Sequence, residues 1–563
     1  MKKIRLVSGI CIALAACAPA FAQQSGNEFA AEWHDVSRPL SELAVQEGLA
    51  FRFAPAQLDQ LIVPLRKVTP EMRGKGVTPF QSLSRFSAAS GAPSSITPNA
   101  LAGITPNVFT GGLLLNFEGI GPPNTGAPSD VNGAVGATQY VQWVNSRLAV
   151  YNKTTGIITP GFPVPGNTVF AGFVGSPGAD ACRTTNRGDP LAQYDKLANR
   201  WVLSQFAFVD FDNGPYYQCV AISTTSDATG TYNRYVFTSQ RATGASAFND
   251  YGKVGVWPDA YYFTYVLFRP PLNTDGGYLG PQVCGYDRAA MLAGGAAVGR
   301  CKDFGTAFGP LLPSDVDGTT APPAGSPNFL AGFDFNGSGV GNILQTWKFS
   351  FTTNVLSART DITVPTFTIG CPSSFGGACV RQPAPGELLD SLADRPMYRY
   401  AYRNYGTRES LVFNHTVQQP GAAANGPVGV RWYELRDPNG AINVYQQGTF
   451  APDTTSRWMG SVAMDKLGNL AVGYSASSTT TFTGVRYTGR LRTEPRGFLE
   501  TEATIINGGG VQTATFNRWG DYSAMSIDPA DDCTFWYTQQ YIATTGSFNW
   551  HTRIANFKFA NCS

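Results

Sequence analysis

From about residue 109 onward, apolar and polar positions alternate along the chain in short stretches, each reached through a turn. Seven can be read: "ATQYVQWVN", "ANRWVLSQFA", "PDAYYFTYVLF", "SPNFLAGFDFN", "TRESLVFNHTV", "LGNLAVGYSAS" and "DDCTFWYTQQY". A period of two, bounded by Gly, Asn and Asp, is the pattern of β-strands. Each is followed by a second aromatic-rich strand, as in "RLAVYNK", "YYQCVAISTT", "GVRWYELRD" and "TRIANFKFA". Matching positions Tyr140, Trp201, Tyr261, Phe329, Leu411, Leu470 and Phe535 return about every 66 residues, a long-period repeat. Blades of four strands run to roughly 40–50 residues, with longer loops filling the difference here. The pattern predicts an all-β chain: a seven-bladed β-propeller of four-stranded antiparallel blades over residues 109–563. The orphan strand "GLLLNFEGI" (112–120) precedes the first copy and is expected to complete the last blade, removing an open edge.

The region before the repeats reads differently. Residues 1–22, "MKKIRLVSGICIALAACAPAFA", combine basic residues, an apolar run and small residues, the signature of an export signal peptide. Two processing readings stay open: cleavage after Ala22, or lipidation at Cys17 within "LAAC". Residues 23–108 form an irregular N-terminal extension. It contains one helical stretch, "SRPLSELAVQEGLAFRF", and a Ser-, Ala-, Pro- and Gly-rich linker or surface wrap. The product is expected to be exported, secreted or periplasmic, with no transmembrane segment and as a monomer.

Composition narrows the class. Charged residues are 14% of the chain, with 62 glycines and 38 prolines, as suits many strands joined by tight turns. Loss of the leader takes the formal charge from +2 to about −1, so there is no electrostatic footprint for nucleic acid. Outside the leader stand eight cysteines: Cys182, Cys219, Cys284, Cys301, Cys371, Cys379, Cys533 and Cys562. An even number in an exported chain implies disulfides, and pairing of neighbours keeps each bond within one repeat.

The turns "YDKLANRW", "MDKLGNLAV" and "IDPADDCTFW" each place an Asp ahead of a strand, where its side chain can accept from backbone amides. The last of them, Ser526 to Trp536, resembles a degenerate Asp-box of the sialidase-type propellers, a structural hairpin. The phrases "NGAVG", "GDP…YD…RW", "SLADR", "RWMGS" and "RWGDYS" resemble a group of secreted bacterial seven-bladed β-propellers of unassigned activity. That resemblance implies a fold and little chemistry.

Candidate chemistry lies where the innermost strands start. Copy one has "SDVNGAVG" with Asp130 and Asn132, copy two "GDP" with Asp189, copy three "NDYGKVGV" with Asp250. Copy five has Asp394, Arg395 and Arg399, copy six Arg457, and copy seven Arg518 and Asp521. Inner strands of a propeller start around one mouth of its channel, so these residues are expected to share a rim. They serve either as ion pairs cementing the blades or as a ligand site. As a site, Arg395, Arg457 and Arg518 suit an anionic ligand such as an acidic sugar. Asp189, Asp250 and Asp521 suit acid, base or hydroxyl-accepting roles, glycoside hydrolysis needing two carboxyls roughly 5–10 Å apart. Tyr251 and Tyr522 would stack on sugar, and His415 is a further catalytic candidate. No cofactor is expected, although the acids of "DVNGAVG" and "GDP" suit calcium. There is no Walker loop, strand-linked GxGxxG or GxSxG elbow, and only three histidines. Two functions stand side by side. One is a hydrolase or lyase acting on an extracellular glycan, acidic or neutral; the other is a noncatalytic propeller binding glycan or protein at the cell surface.

Overall fold

A computed structural model of the chain describes residues 28–53, 61–62, 107–122, 126–272, 277–515 and 517–563. Residues 1–22, with Cys17, and most of the Ser/Pro-rich stretch lie outside the described residues.

Among the described residues the strands from Gly111 to Phe559 fall into seven antiparallel four-stranded units, or blades. Their first strands, blades one to seven in order, are Asn132–Val135, Leu191–Asp195, Phe248–Val256, Leu312–Asp317, Met397–Asn404, Ser456–Met464 and Ala524–Ile527. Each first strand packs against that of the next blade, and blade seven returns to blade one, so the units close a ring around a channel. The fold is a β-propeller. The seven repeat positions, Tyr140 to Phe535, all lie in second strands. Between blades four and five the first strands also pair directly and in parallel, Ser314 opposite Tyr400.

Closure uses both ends of the ring. Gly111–Glu118 pairs antiparallel with Trp550–Phe559 and becomes the fourth strand of blade seven, covering an edge that would otherwise expose unpaired amides. Aromatic rings fill the seams between blades. Tyr140 stacks on Trp536 at 5.3 Å between blades one and seven, Phe237 on Tyr286 at 4.1 Å between two and three, and Tyr487 meets Phe557 at 4.2 Å between six and seven. The Asp turns close locally. Asp195 Oδ1 accepts from the amides of Leu197 and Ala198, and Asp465 Oδ1 from those of Leu467 and Asn469.

The N-terminal extension does more than wrap the surface. Glu28–Ala30 adds a fifth strand to blade three and Trp33–Val36 a fifth strand to blade two. Strands of three and four residues carry too little periodicity to be read in sequence. The expected helix is present as Leu40–Phe53, and Leu40, Leu43 and Ala44 are buried against the core of blades one and two.

The disulfides join Cys182–Cys219, Cys284–Cys301, Cys371–Cys379 and Cys533–Cys562. Four such bonds point to an extracellular or periplasmic protein, and no described helix is long and apolar enough to cross a membrane. Cys533 precedes the second strand of blade seven and Cys562 follows its third, so this bond ties those two strands together.

Charged side chains fill the channel. Arg399 of blade five donates from Nε to Asp315 Oδ2 at 2.5 Å and from both Nη atoms to Asp317 of blade four at 2.9 and 3.1 Å. It also reaches the Met525 carbonyl of blade seven at 2.9 Å. From blade two, Gln193 donates to Asp315, and Lys196 Nζ to Asp317 at 2.8 Å. Arg399 is therefore cement, and its two carboxylates have no route to water. Arg399→Ala leaves them buried with their main counter-charge gone and should cost about 3–5 kcal/mol, read as a lowered unfolding midpoint.

Candidate functional site

Residues in the left-handed region mark several first strands: Asp130 (φ 46°), Asp189 (48°) and Asp521 (67°) stand just ahead of theirs, and Tyr251 (54°) and Met459 (54°) lie within theirs. Such backbone in a non-glycine residue costs roughly 1–3 kcal/mol and persists only where its surroundings hold it. Here the Asp130 amide donates to the Gly520 carbonyl at 2.9 Å, and the Asp189 amide to Asn145 Oδ1 at 3.1 Å. Gly188 permits that second contact: it sits at φ 111°, and a Cβ there would lie 2.3 Å from Asn145 Oδ1. In blade three the strand register shifts between Asp250 and Lys253, a bulge that re-aims its side chains.

The result is one cluster at one mouth. Asp189 Oδ2 and Asp250 Oδ1 both accept from the Tyr251 amide, at 2.8 and 2.9 Å. Asp130 lies beside Asp189, whose charge disfavours a second one on Asp130. Asp189 and Asp250 are partly exposed, whereas Asp130 and Asp521 are buried. Burial, reinforced by the charge of Asp189, raises Asp250 to about 7. Burial also raises Asp130 well above the usual range, with Asp521 and Asp189 adding to it. Asp189 rises for the same reason, opposed by the ammonium of Lys253.

Lys253 is the base of the cluster and the residue that sequence reading passed over. It is fully buried, donates to the Gly252 carbonyl at 2.8 Å, and lies 3.4 Å from the Tyr251 ring centroid and 4.0 Å from that of Tyr522. Burial lowers it to about 7, although Asp189 and Asp130 pull the other way. A lysine in the otherwise apolar strand "YGKVGV" was the available signal.

The structure brings Asp189, Asp250, Asp521, Arg395, Arg518, Tyr251 and Tyr522 together, but gives several of them other work. Tyr251 and Tyr522 are 4% and 0% exposed, so both rings enclose Lys253 rather than offering a face to sugar. Arg395 is locked to Asp394 through two bonds at 2.9 and 3.0 Å and lies over the Tyr251 ring. Arg518 donates to both oxygens of Asp521 at 2.6 and 2.5 Å. Burial alone would lower both guanidiniums, yet each is held above its ordinary value by its aspartate. Arg457 has partners of its own in blade six, pairing with Asp453 at 2.9 Å and Glu502 at 2.7 Å. His415 is fully buried among Phe333, Phe367 and Tyr433, its Nε2 3.0 Å from the Tyr433 hydroxyl. Burial, with Arg431 nearby, holds it well below the usual imidazole range, so it packs as a neutral aromatic. Asp130 and Asp394 take the places of these two in the cluster. Among the described residues no group of three His, Cys, Asp or Glu is arranged to hold a metal ion.

No family model and no curated protein matches the chain. Solved structures similar to it include an α-L-arabinofuranosidase from Fusarium graminearum (10% identity, TM-score 0.38, covering 80% of this chain and 99% of that one). Others are an α-L-arabinanase of Penicillium chrysogenum (7%, 0.35, 82% and 99%) and an ulvan lyase (9%, 0.32, 78% and 96%). Likeness this distant carries no argument about activity.

The carboxyl cluster makes stability depend on pH. A carboxyl whose folded pKa is raised binds its proton more tightly in the folded state, so its contribution is full at low pH and is lost as pH rises. For Asp250 that window runs from 3.8 to about 7. The unfolding midpoint of Asp250→Asn, measured across this range, should fall less with rising pH than that of the wild type. Parallel curves would show that Asp250 titrates as it does in the unfolded chain.

Proposed function

We propose that the protein is an exported, carbohydrate-active propeller that hydrolyses a glycosidic bond at this mouth. The carrying observation is the pair of partly exposed carboxyls, Asp189 and Asp250, that converge on the Tyr251 amide. With its pKa raised to about 7, Asp250 keeps a proton in neutral solution and is suited to protonate a leaving-group oxygen. Asp189, beside Lys253 and Asp130, is suited to act as the opposing carboxylate. Asp130, Lys253 and Asp521 lie beneath and set the charge state of the pair. The substrate that fits is a neutral stretch of glycan. Arg395 and Arg518 already neutralise internal aspartates, so neither is available to a uronate, which favours hydrolysis over elimination. Calcium at Asp130 and Asp189 is less favoured, since the Lys253 amine lies beside both and burial favours their protonated forms.

The second reading is a noncatalytic glycan- or protein-binding propeller. It is favoured by the same engaged arginines and enclosed tyrosines, which make the mouth rigid and largely filled. A panel of neutral and acidic polysaccharides separates the two. Reducing ends should appear with at least one glycan, and Asp250→Asn should lower turnover by about two to four orders of magnitude, the range of a lost general acid. Its unfolding midpoint at low pH should stay near that of the wild type. Glycan binding without cleavage by the wild-type protein would support the noncatalytic reading, and undiminished turnover by Asp250→Asn would remove Asp250 from the chemistry.

A further inference from the structure

The strands of a blade alternate in direction, so turns joining first to second and third to fourth strands lie on the face opposite the aspartate mouth. On that face of blades five and six five arginines converge. Arg436 ends the third strand of blade five, Val428–Arg436, and Arg490 ends that of blade six, Gly484–Arg490. Arg408 stands in the first turn of blade five, and Arg492 and Arg496 follow Arg490 in sequence. The guanidiniums of Arg436 and Arg496 lie 3.1 and 3.8 Å from the centroid of one ring, Tyr445. Arg408 stacks on Tyr405 at 3.9 Å and approaches Arg492 beside Gly468.

The acids beside these arginines include Glu434 and Glu494. Of the five, only Arg436 has an ion-pair partner among the described residues, Glu434 at 2.8 Å. Arg490 is 2% exposed and donates to backbone carbonyls of Glu494 and Pro495, and its Nε has no acceptor. The Nε of Arg408 is likewise buried without an acceptor. Burial lowers Arg408 below its ordinary value and Arg492 and Arg436 lower it further, while Tyr405 and Glu434 oppose this. Arg492 and Arg496 are exposed. Like charges crowded this way repel one another until an anion arrives, and planar guanidiniums recognise carboxylate or sulfate through paired N–H donors.

We infer that this face is a second binding surface, separate from the mouth, that holds an acidic polysaccharide through Arg408, Arg436, Arg492 and Arg496. A chain with anionic groups at regular intervals matches cations spread over two blades better than a single small anion does. The arginines already occupy the Tyr445 ring, which leaves no platform for stacked bases and disfavours nucleic acid. The surface does not rest on the hydrolytic reading: Asp250→Asn should bind an acidic glycan as the wild type does.

Heparin serves as the sulfated probe and dextran as the neutral one. The wild-type protein should bind heparin with an affinity that falls as salt rises, and should not bind dextran at this face. The double variant Arg492→Ala/Arg496→Ala should lose about tenfold or more in heparin affinity at low salt with an unchanged unfolding midpoint, two charge-assisted contacts being removed from exposed positions. Arg359→Ala, which removes an exposed arginine paired with Asp361, should bind like the wild type. Failure of the wild type to bind heparin would overturn the inference. So would equal affinity of the double variant, or tighter binding of duplex DNA or phosphatidylserine vesicles than of heparin.

Discussion

Arg399 bridges blades four, five and seven from inside the ring, and much of the structure depends on that bridge. An arginine and two aspartates removed from water are tolerable only when each finds its partners, because the cost of dehydrating them exceeds what one imperfect contact returns. Its partners are Asp315 and Asp317 in one blade and the Met525 carbonyl in another. They meet only when the ring is closed. Closure in turn depends on Gly111–Glu118 crossing to the C-terminal blade. Charge neutralisation in the channel and strand exchange at the seam therefore support each other.

The same economy of charge shapes the mouth. Aspartates outnumber the cations beside them, so protonation is favoured: burial and mutual charge raise Asp130 and Asp189, and Asp250 rises to about 7. The arginines expected to hold an anionic ligand instead stiffen the rim. On the opposite face the imbalance reverses, and five arginines lie close together beside Glu434 and Glu494. A nearly neutral chain thus carries two local excesses of opposite sign, on opposite faces of one ring.

Period-two alternation and long-period recurrence made the blades legible, because each strand must turn apolar side chains toward its neighbours wherever it lies in the ring. The Asp turns were legible for a related reason: Asp195 and Asp465 act on amides two to four residues away. The four disulfides follow sequence neighbourhood as well, since each joins positions within one repeat or its flanking loop. The added strands Glu28–Ala30 and Trp33–Val36 were not legible, being stabilised by edges that only the finished blades present.

Sequence by itself determined that charged residues would precede the inner strands, and hence which blades could contribute to a rim. Tertiary structure alone decided what those charges do. Arg457 and Arg518 occupy similar places in the repeat, yet one pairs within blade six and the other joins the mouth, because their carboxylate partners come from different loops. Lys253 gains its role from Tyr522, a residue distant in sequence that closes over it from blade seven. His415 gains its role from Phe333, in the neighbouring blade. Local pattern sets where a side chain leaves the backbone. Its burial, protonation and partners depend on elements that meet only when the ring closes.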